Sequence, residues 1–296
     1  MKYKRGSGRK FLSIGFSVCA ISFTLFVSTV RAQILGVTNG NSFALINATS
    51  QSGMNNWTVD GVNQLYQQWF WYRIGSHGGE SSIDTLGAPT ITSSPGLLST
   101  TYASSKLSVQ VDYALHGGDI GSGTASIAET ITLRNVSASS LSLHFFQYTD
   151  FDLLGTAAND HVELTRDGAT GPYIGATQWD GDPNNRQFSA NITVTGANHA
   201  EATFWSTLLN ELTDSKPTTL ADTVGVVGSG GDVDCAFQWD LSLAAGGSIT
   251  LDVNKNLTLP GAYVPEPSVA ALLAVGLAGG IILRHRRSRL AAPKCS

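Results

Sequence analysis

The stretch KLSVQVDYAL (residues 106–115) shows the pattern from which the fold follows. Its apolar side chains alternate with polar ones and share one face of an extended chain: Leu107, Val109, Val111 and Tyr113. A period of two is typical of a half-buried β-strand, whereas an amphipathic helix repeats its apolar residues every three or four positions. The stretch therefore predicts a strand that turns one face to a core.

The same alternation recurs along the middle of the chain, with turn residues between the runs. These runs cover residues 124–136, 140–154, 191–196, 200–205, 222–228, 235–243 and 248–253. Short strands separated by turns are typical of an antiparallel β-sandwich or jelly roll. Only residues 204–212 have a helical spacing. We expect one all-β domain, an antiparallel sandwich of jelly-roll type, over residues 33–263.

The first 32 residues have the layout of a secretory signal peptide. Five basic residues lie within MKYKRGSGRK, an apolar stretch follows from Phe11 to Val30, and the small residue Ala32 ends the segment. This order predicts export and cleavage after Ala32. The alternative is an uncleaved helix, because about 20 apolar residues can span a bilayer.

Charge is distributed unevenly along the chain. Residues 33–264 contain seven Lys and Arg against 21 Asp and Glu, a net charge of −14, whereas the whole chain carries −4. A strongly acidic domain repels nucleic acid and anionic membrane surfaces. The composition therefore excludes nucleic acid as a partner and suits cations or neutral polymers.

Cysteine usage provides no disulfide framework for the exported part. Cys19 lies in the signal segment and Cys295 in the C-terminal tail, so Cys235 is alone in the predicted domain. Its apolar, strand-like surroundings favour a small buried hydrophobe over a nucleophile.

Residues 264–289, VPEPSVAALLAVGLAGGIILRHRRSR, combine three features. Pro265 and Pro267 flank Glu266 and cannot continue a helix or a strand, so they keep this segment extended. Sixteen uncharged residues follow, about 24 Å as a helix, which is short for a hydrocarbon core of about 30 Å. A basic cluster then includes Arg284, Arg286 and Arg287. Basic flanks stay cytoplasmic, so the preceding domain lies outside.

This order resembles the PEP-CTERM sorting signal of Gram-negative bacteria. The resemblance implies that a membrane-embedded exosortase recognises and cleaves at Pro265-Glu266-Pro267, with residues 290–296 as a short tail. It also implies passage through the inner membrane, transient anchoring by a C-terminal transmembrane helix, and delivery to the cell envelope, the cell surface or the medium. Proteins of this kind are associated with exopolysaccharide. The alternative is an ordinary stop-transfer anchor behind a proline-rich stalk.

The loop WDGDPNN (179–185) is a candidate calcium site. Asp180, Asp182 and Asn184 are spaced so that their oxygens can converge on one hard cation. The glycine and glutamate of an EF-hand loop are missing, because the sixth and twelfth positions counted from Asp180 hold Asn185 and Asn191. The alternative is a polar turn capped by its own side chains.

A second acidic stretch follows a predicted strand. Asp150 and Asp152 would point to the same face of that strand, about 7 Å apart. With Asp160, they are compatible with glycoside hydrolysis or with a metal site. The alternatives are a solvated strand face or a structural calcium site. A weaker candidate for calcium is the pair Asp232 and Asp234.

The densest aromatic stretch is QLYQQWFWYRIG (64–75). On a strand, Trp69 and Trp71 share one face and Tyr72 lies on the other. One row of rings would then be free to stack on sugars. The alternative is a strand that is buried on both faces.

Together these features predict an exported, exosortase-sorted protein of the cell envelope or extracellular matrix. We expect a non-enzymatic structural or exopolysaccharide-associated role, with calcium as the only candidate cofactor. The alternatives are a carbohydrate-active enzyme that uses Asp150, Asp152 or Asp160, and a calcium-dependent carbohydrate-binding protein.

Overall fold

Residues 33–228 and 230–261 are the part of the chain that the computed structural model describes. All of them belong to one compact unit. The predicted signal peptide, the sorting segment 264–289 and the tail 290–296 lie outside the described residues.

The described chain is built mainly from β-strands. They are β1 Ile34–Asn39, β2 Ser42–Asn47, β3 Gly53–Val59, β4 Val62–Asn63, β5 Gln67–Ile74, β6 Ser81–Ser82, β7 Thr90–Ser94, β8 Leu97–Ala103, β9 Leu107–Gly117, β10 Thr124–Asn135, β11 Leu141–Asp150, β12 Asp160–Arg166, β13 Tyr173–Asp180, β14 Ser189–Ala197, β15 His199–Phe204, β16 Val226–Gly228, β17 Val233–Leu243 and β18 Ser248–Thr258. The predicted helix is present as α1, Thr207–Thr213, and two 3₁₀ helices cover Ile83–Leu86 and Leu153–Gly155. Within the described residues, no helix has the length and apolar content needed to cross a bilayer.

The strands form two sheets. The first sheet has the order β1-β2-β3-β5-β11-β17-β15, with β4 and β6 attached to β3 and β5. The second has the order β16-β12-β13-β14-β18-β10-β9-β8-β7. Pairing is antiparallel except for a short parallel contact between β3 and β5. The prediction of an all-β fold with antiparallel sheets is confirmed.

The opening stretch forms β9 and behaves as its pattern predicts. Its alternate residues Leu107, Val109 and Val111 are fully buried. Strand β10 pairs with it so that Ile131 lies opposite Val111, and Ile131 is buried too. Burial of each such side chain contributes about 1.5–3 kcal/mol, so this alternation is a main source of the core's stability.

Strand β11 has both of its faces buried at its C-terminal end. Gln147 points towards the second sheet, where its amide donates a hydrogen bond to Glu129 Oε2 at 3.0 Å. Because side chains alternate along a strand, Tyr148 and Asp150 lie on the opposite face. Both are nevertheless fully buried. Strand β11 therefore places polar groups in two separate interior environments.

Candidate functional site

Four aspartates meet where β11 ends and β17 begins. Asp150 is the last residue of β11, and Asp234 is the second residue of β17. The two strands are antiparallel, with Thr149 opposite Cys235, so these ends lie side by side. Asp152 follows in the turn before the 3₁₀ helix Leu153–Gly155, and Asp232 precedes β17. We call Asp150, Asp152, Asp232 and Asp234 the acidic cluster.

Three of these carboxylates are in close contact. Asp150, Asp152 and Asp232 each present an oxygen, and these three oxygens lie within 4.8 Å of one another. Asp150 is fully buried and the other two are half-buried. In each of the three, Oδ1 is a buried atom without a hydrogen-bond partner. The cluster therefore has a closed inner end at Asp150 and a more open side at Asp152 and Asp232.

Tyr148 lies within hydrogen-bond distance of the two fully buried carboxylates of the cluster, Asp150 and Asp234. Its hydroxyl lies 2.8 Å from Asp234 Oδ2 and 3.1 Å from Asp150 Oδ2. A hydroxyl carries a single proton, so it can donate fully to only one of two carboxylates. Burial, together with the charges of Asp150 and Asp234, raises the pKa of Tyr148 well above its ordinary value, so the proton stays on the phenol.

The crowding of carboxylates changes their acidity. Burial, and then the charges of Asp232, Asp234 and Asp152, raises the pKa of Asp150 to about 9. Burial and the charge of Asp232 also raise the pKa of Asp234 to about 7, although Tyr148 opposes the shift. Burial and the charge of Asp152 raise the pKa of Asp232 to about 6. Among the ion pairs of the described residues, none involves the acidic cluster.

Asp160 lies close to this group but on the other sheet. It begins β12, is fully buried, and its backbone N–H donates to the carbonyl of Gly231 at 3.0 Å. Burial raises its pKa to about 8. The three acidic residues of the predicted stretch therefore come near one another, but Asp152 lies beyond the strand and not on it.

Exposed aromatic residues border the acidic cluster. Tyr66, Phe204 and Trp205 are 50%, 42% and 48% exposed. The rings of Tyr66 and Trp205 meet edge to face, with centroids 6.4 Å apart. The backbone N–H of Tyr66 donates to the carbonyl of Asp150 at 3.0 Å, and that of Trp205 donates to the carbonyl of Asp232 at 3.1 Å. We call these three residues the aromatic rim.

A glycine makes room for one member of the rim. A Cβ atom on Gly231 would come within 2.7 Å of the ring of Phe204. The absence of a side chain at this position, next to Asp232, lets the ring lie against the backbone of the loop. The loop before β17 thus contains Asp232 of the acidic cluster and, at Gly231, packs against Phe204 of the rim.

The predicted carbohydrate-binding residues are placed differently. Trp69 and Trp71 are buried, because Trp69 packs edge-on against Tyr102 and donates to Ser82 Oγ at 2.7 Å, while Trp71 packs edge-on against Tyr148. Tyr72 is half-buried. Sugar cannot stack on either tryptophan in this structure, so this strand follows the alternative interpretation, burial on both faces.

The loop predicted to bind calcium is closed by its own side chains. Asp182 Oδ1 accepts a hydrogen bond from the backbone N–H of Asn184 at 2.9 Å, which is the geometry of a self-capped turn. Asp180 Oδ2 accepts from the hydroxyl of Thr156 at 2.9 Å. Calcium at Asp180, Asp182 and Asn184 stays a prediction, with one of its ligand oxygens already used by the turn.

Sequence reasoning did not connect Asp232 and Asp234 with Asp150, and it missed the rim. The signal present was the repeated Asp-x-Asp spacing at 150–152 and 232–234. Cys235 is free and buried, as predicted. Because Cys235 is adjacent to Asp234 on a strand, its side chain points away from the acidic cluster.

Comparison with known proteins identifies the C-terminal segment. Residues 264–287 match the model of the PEP-CTERM protein-sorting motif. The predicted resemblance is confirmed, and the motif implies an exported protein that exosortase sorts to the cell surface. No curated protein sequence is significantly similar to this chain.

Solved structures give the class of fold. The domain is similar to a protein from Escherichia coli K12 assigned as an aldose 1-epimerase, with a TM-score of 0.52 and 11% identity over 77% of this chain and 99% of that one. It is also similar to a GalM/aldose epimerase homologue from C. elegans, with a TM-score of 0.47 and 8% identity over 77% of this chain and 100% of that one.

A bacterial glucoamylase solved with acarbose has a TM-score of 0.49 and 8% identity, over 84% of this chain and 36% of that one. At such low identity these likenesses concern the fold alone. The first of them shows that the two-sheet fold is similar to that of the Escherichia coli protein, and the sorting motif implies that this domain belongs to an exported, exosortase-sorted chain.

Proposed function

We propose that the exported domain is a non-enzymatic carbohydrate-binding protein of the cell envelope, which holds exopolysaccharide at the aromatic rim. The observation that carries the proposal is the exposure of three large aromatic side chains in one place, with Tyr66 and Trp205 in edge-to-face contact. Flat, half-exposed rings next to polar groups suit the apolar faces of sugar rings.

Two further facts support a carbohydrate partner. The sorting motif implies delivery to the cell surface, where polysaccharides are abundant. The Escherichia coli protein of similar fold is named for an activity on aldoses. The net charge of −14 over residues 33–264 disfavours an anionic polymer and favours a neutral one.

The burial of the carboxylates supports a non-enzymatic role. A general acid or base must come within hydrogen-bond reach of its substrate. Asp150 and Asp160 are fully buried, so a sugar on the surface does not reach them. One observation favours the alternative of a carbohydrate-active enzyme: Asp152 and Asp232 are both half-buried, and their close oxygens are near the separation of about 5 Å that retaining glycosidases use.

Retention of the full-length chain on the host's exopolysaccharide and on a neutral insoluble glucan tests the proposal. Trp205→Ala and Tyr66→Ala should each weaken retention about tenfold, because large aromatics dominate such contacts. Leu97→Ala is the matched control, since Leu97 is also half-exposed but lies outside the rim. Unchanged retention in both aromatic variants would refute the proposal. If the wild type releases reducing sugar and Asp152→Asn does not, the alternative of a carbohydrate-active enzyme would replace this proposal.

A further inference from the structure

We infer that the acidic cluster is a binding site for a divalent cation, Ca²⁺, with Asp150, Asp152 and Asp232 as its protein ligands. This site differs from the loop at Asp180, Asp182 and Asn184. The inference concerns the cation alone and does not depend on any carbohydrate.

The spacing of the oxygens fits one coordination sphere. Oxygen ligands lie about 2.3–2.6 Å from Ca²⁺, so two ligands on opposite sides of the ion are about 4.6–5.2 Å apart. The three carboxylate oxygens lie within 4.8 Å of one another. The three oxygens are therefore close enough for a single ion to contact all of them.

The unpartnered oxygens are the independent sign of a ligand. Asp150 has no exposed surface, and its Oδ1 has no hydrogen-bond donor. A buried polar atom without a partner is costly, and a buried carboxylate without a counter-charge is more so. The buried Oδ1 atoms of Asp152 and Asp232 have the same deficit. A bound cation would contact these unpartnered oxygens and would at the same time offset their negative charge.

The proton count at Tyr148 leads to the same conclusion. Its hydroxyl lies within hydrogen-bond distance of both Asp150 and Asp234, yet it has one proton to donate. Carboxylates as crowded as these repel one another when ionised, and their charge is offset either by protonation or by a cation. A divalent ion at the unpartnered oxygens of Asp150, Asp152 and Asp232 removes most of this repulsion. The Tyr148 hydroxyl meanwhile stays within hydrogen-bond distance of Oδ2 of Asp150 and of Asp234.

The chemistry of the donors selects a hard cation. All three proposed ligands are carboxylates, which suit Ca²⁺ or Mg²⁺ better than zinc or copper. Extracellular calcium modules bind at about 10⁻⁴–10⁻³ M, which suits a half-open site on an exported protein. Asp152 and Asp232 are half-buried, so their side of the site is the one nearer to solvent.

The cation would join segments that are distant in sequence. Asp150 ends β11, Asp152 precedes a 3₁₀ helix, and Asp232 lies in the loop before β17. The carbonyls of Asp150 and Asp232 also accept hydrogen bonds from Tyr66 and Trp205. Through these two backbone hydrogen bonds, the ion therefore orients Tyr66 and Trp205 of the aromatic rim. This consequence rests on the proposed function.

Thermal unfolding of the full-length chain in a mild detergent tests the site, with a chelator or with Ca²⁺ at about 10–100 mM, which is about 100 times the expected dissociation constant. Calcium at about 100 times its dissociation constant should raise the unfolding midpoint by about 5–10 °C. Asp150→Asn and Asp232→Asn should each lose this shift, because they keep the shape of the side chain and remove its charge. The control Asp182→Asn changes the charge equally in the other candidate loop and should keep the shift.

Terbium provides a second readout that needs no unfolding. Tb³⁺ occupies oxygen-rich calcium sites, and Tyr148 lies beside this one, so excitation of tyrosine should produce sensitised terbium emission that Ca²⁺ displaces. The wild type and Asp182→Asn should emit, and Asp232→Asn should not.

Two outcomes would overturn the inference. One is a wild type with neither a calcium shift nor terbium emission. The other is retention of both signals in Asp150→Asn and Asp232→Asn, whatever the result for Asp182→Asn. Neither readout involves a polysaccharide, so a chain that binds calcium but no glycan refutes only the proposed function.

Discussion

Strand β11 separates two groups of buried carboxylates that differ in their partners. On the face towards the second sheet, Glu129 Oε2 lies 2.7 Å from Lys255 Nζ, and both side chains are fully buried. On the opposite face, no ion pair of the described residues reaches the acidic cluster. The buried Glu129 is therefore paired within the chain, whereas the acidic cluster has no cationic side chain of the described residues to offset its charge.

The internal pair depends on both partners being present. Burial raises the pKa of Glu129, and the charge of Lys255 opposes that shift. Burial likewise lowers the pKa of Lys255, and the charge of Glu129 opposes that one. Removal of either partner leaves the other with the full cost of desolvation.

The largest effect is expected when the internal compensation is removed. Lys255→Met should lower the free energy of unfolding by about 3–5 kcal/mol, because Glu129 keeps only the amide of Gln147 as its partner. Chemical denaturation measures the loss. Adding Glu129→Gln should restore more than half of it, since the uncompensated carboxylate is then gone. An equal loss in the double variant would mean that packing, and not charge, explains the effect.

An intermediate effect is expected at the acidic cluster. Tyr148→Phe removes the hydroxyl that serves Asp150 and Asp234 and should cost about 1–3 kcal/mol. Tyr113→Phe is the matched control, because the Tyr113 hydroxyl is buried without a hydrogen-bond partner and its loss should be neutral or stabilising. Urea unfolding of both variants at one pH tests this. Equal losses would show that the cluster does not depend on its tyrosine.

The smallest effect concerns a carboxylate that backbone amides satisfy. Burial raises the pKa of Asp60, but N–H donors from Gly121 and Gly123 and the amide of Asn41 outweigh it, so the pKa is lowered below its ordinary value of 3.8. Asp60→Asn tolerates the positive φ of 49° at this position and should cost about 1 kcal/mol at neutral pH.

The pH dependence of that loss has a definite sign. A lowered folded-state pKa stabilises the fold above the unfolded value and loses its contribution as the pH falls through the folded value. The difference in the free energy of unfolding between wild type and Asp60→Asn should therefore be constant above about pH 4 and shrink below it. A difference that grows on acidification would contradict the assigned hydrogen bonds.

Local patterns in the chain were sufficient for the sorting signal and for several of the strands, including β9, β10, β11, β17 and β18. The alternation of Leu107, Val109 and Val111 predicts β9 because side chains on a strand alternate between two faces, whatever lies opposite. Pro265-Glu266-Pro267 and the arginines after the apolar run form one contiguous motif. Such features depend only on neighbouring residues, so they can be predicted from local stretches of the chain.

Which side chains are accessible and which ones meet depends on the tertiary structure. Trp69 and Trp71 have the spacing of an exposed row, yet rings and hydroxyls from other segments cover them. Tyr148 and Asp234 are 86 residues apart in the chain and meet because β11 and β17 pair in one register. Burial and proximity depend on how distant segments pack, and strand pairing between such segments is not encoded in any local period.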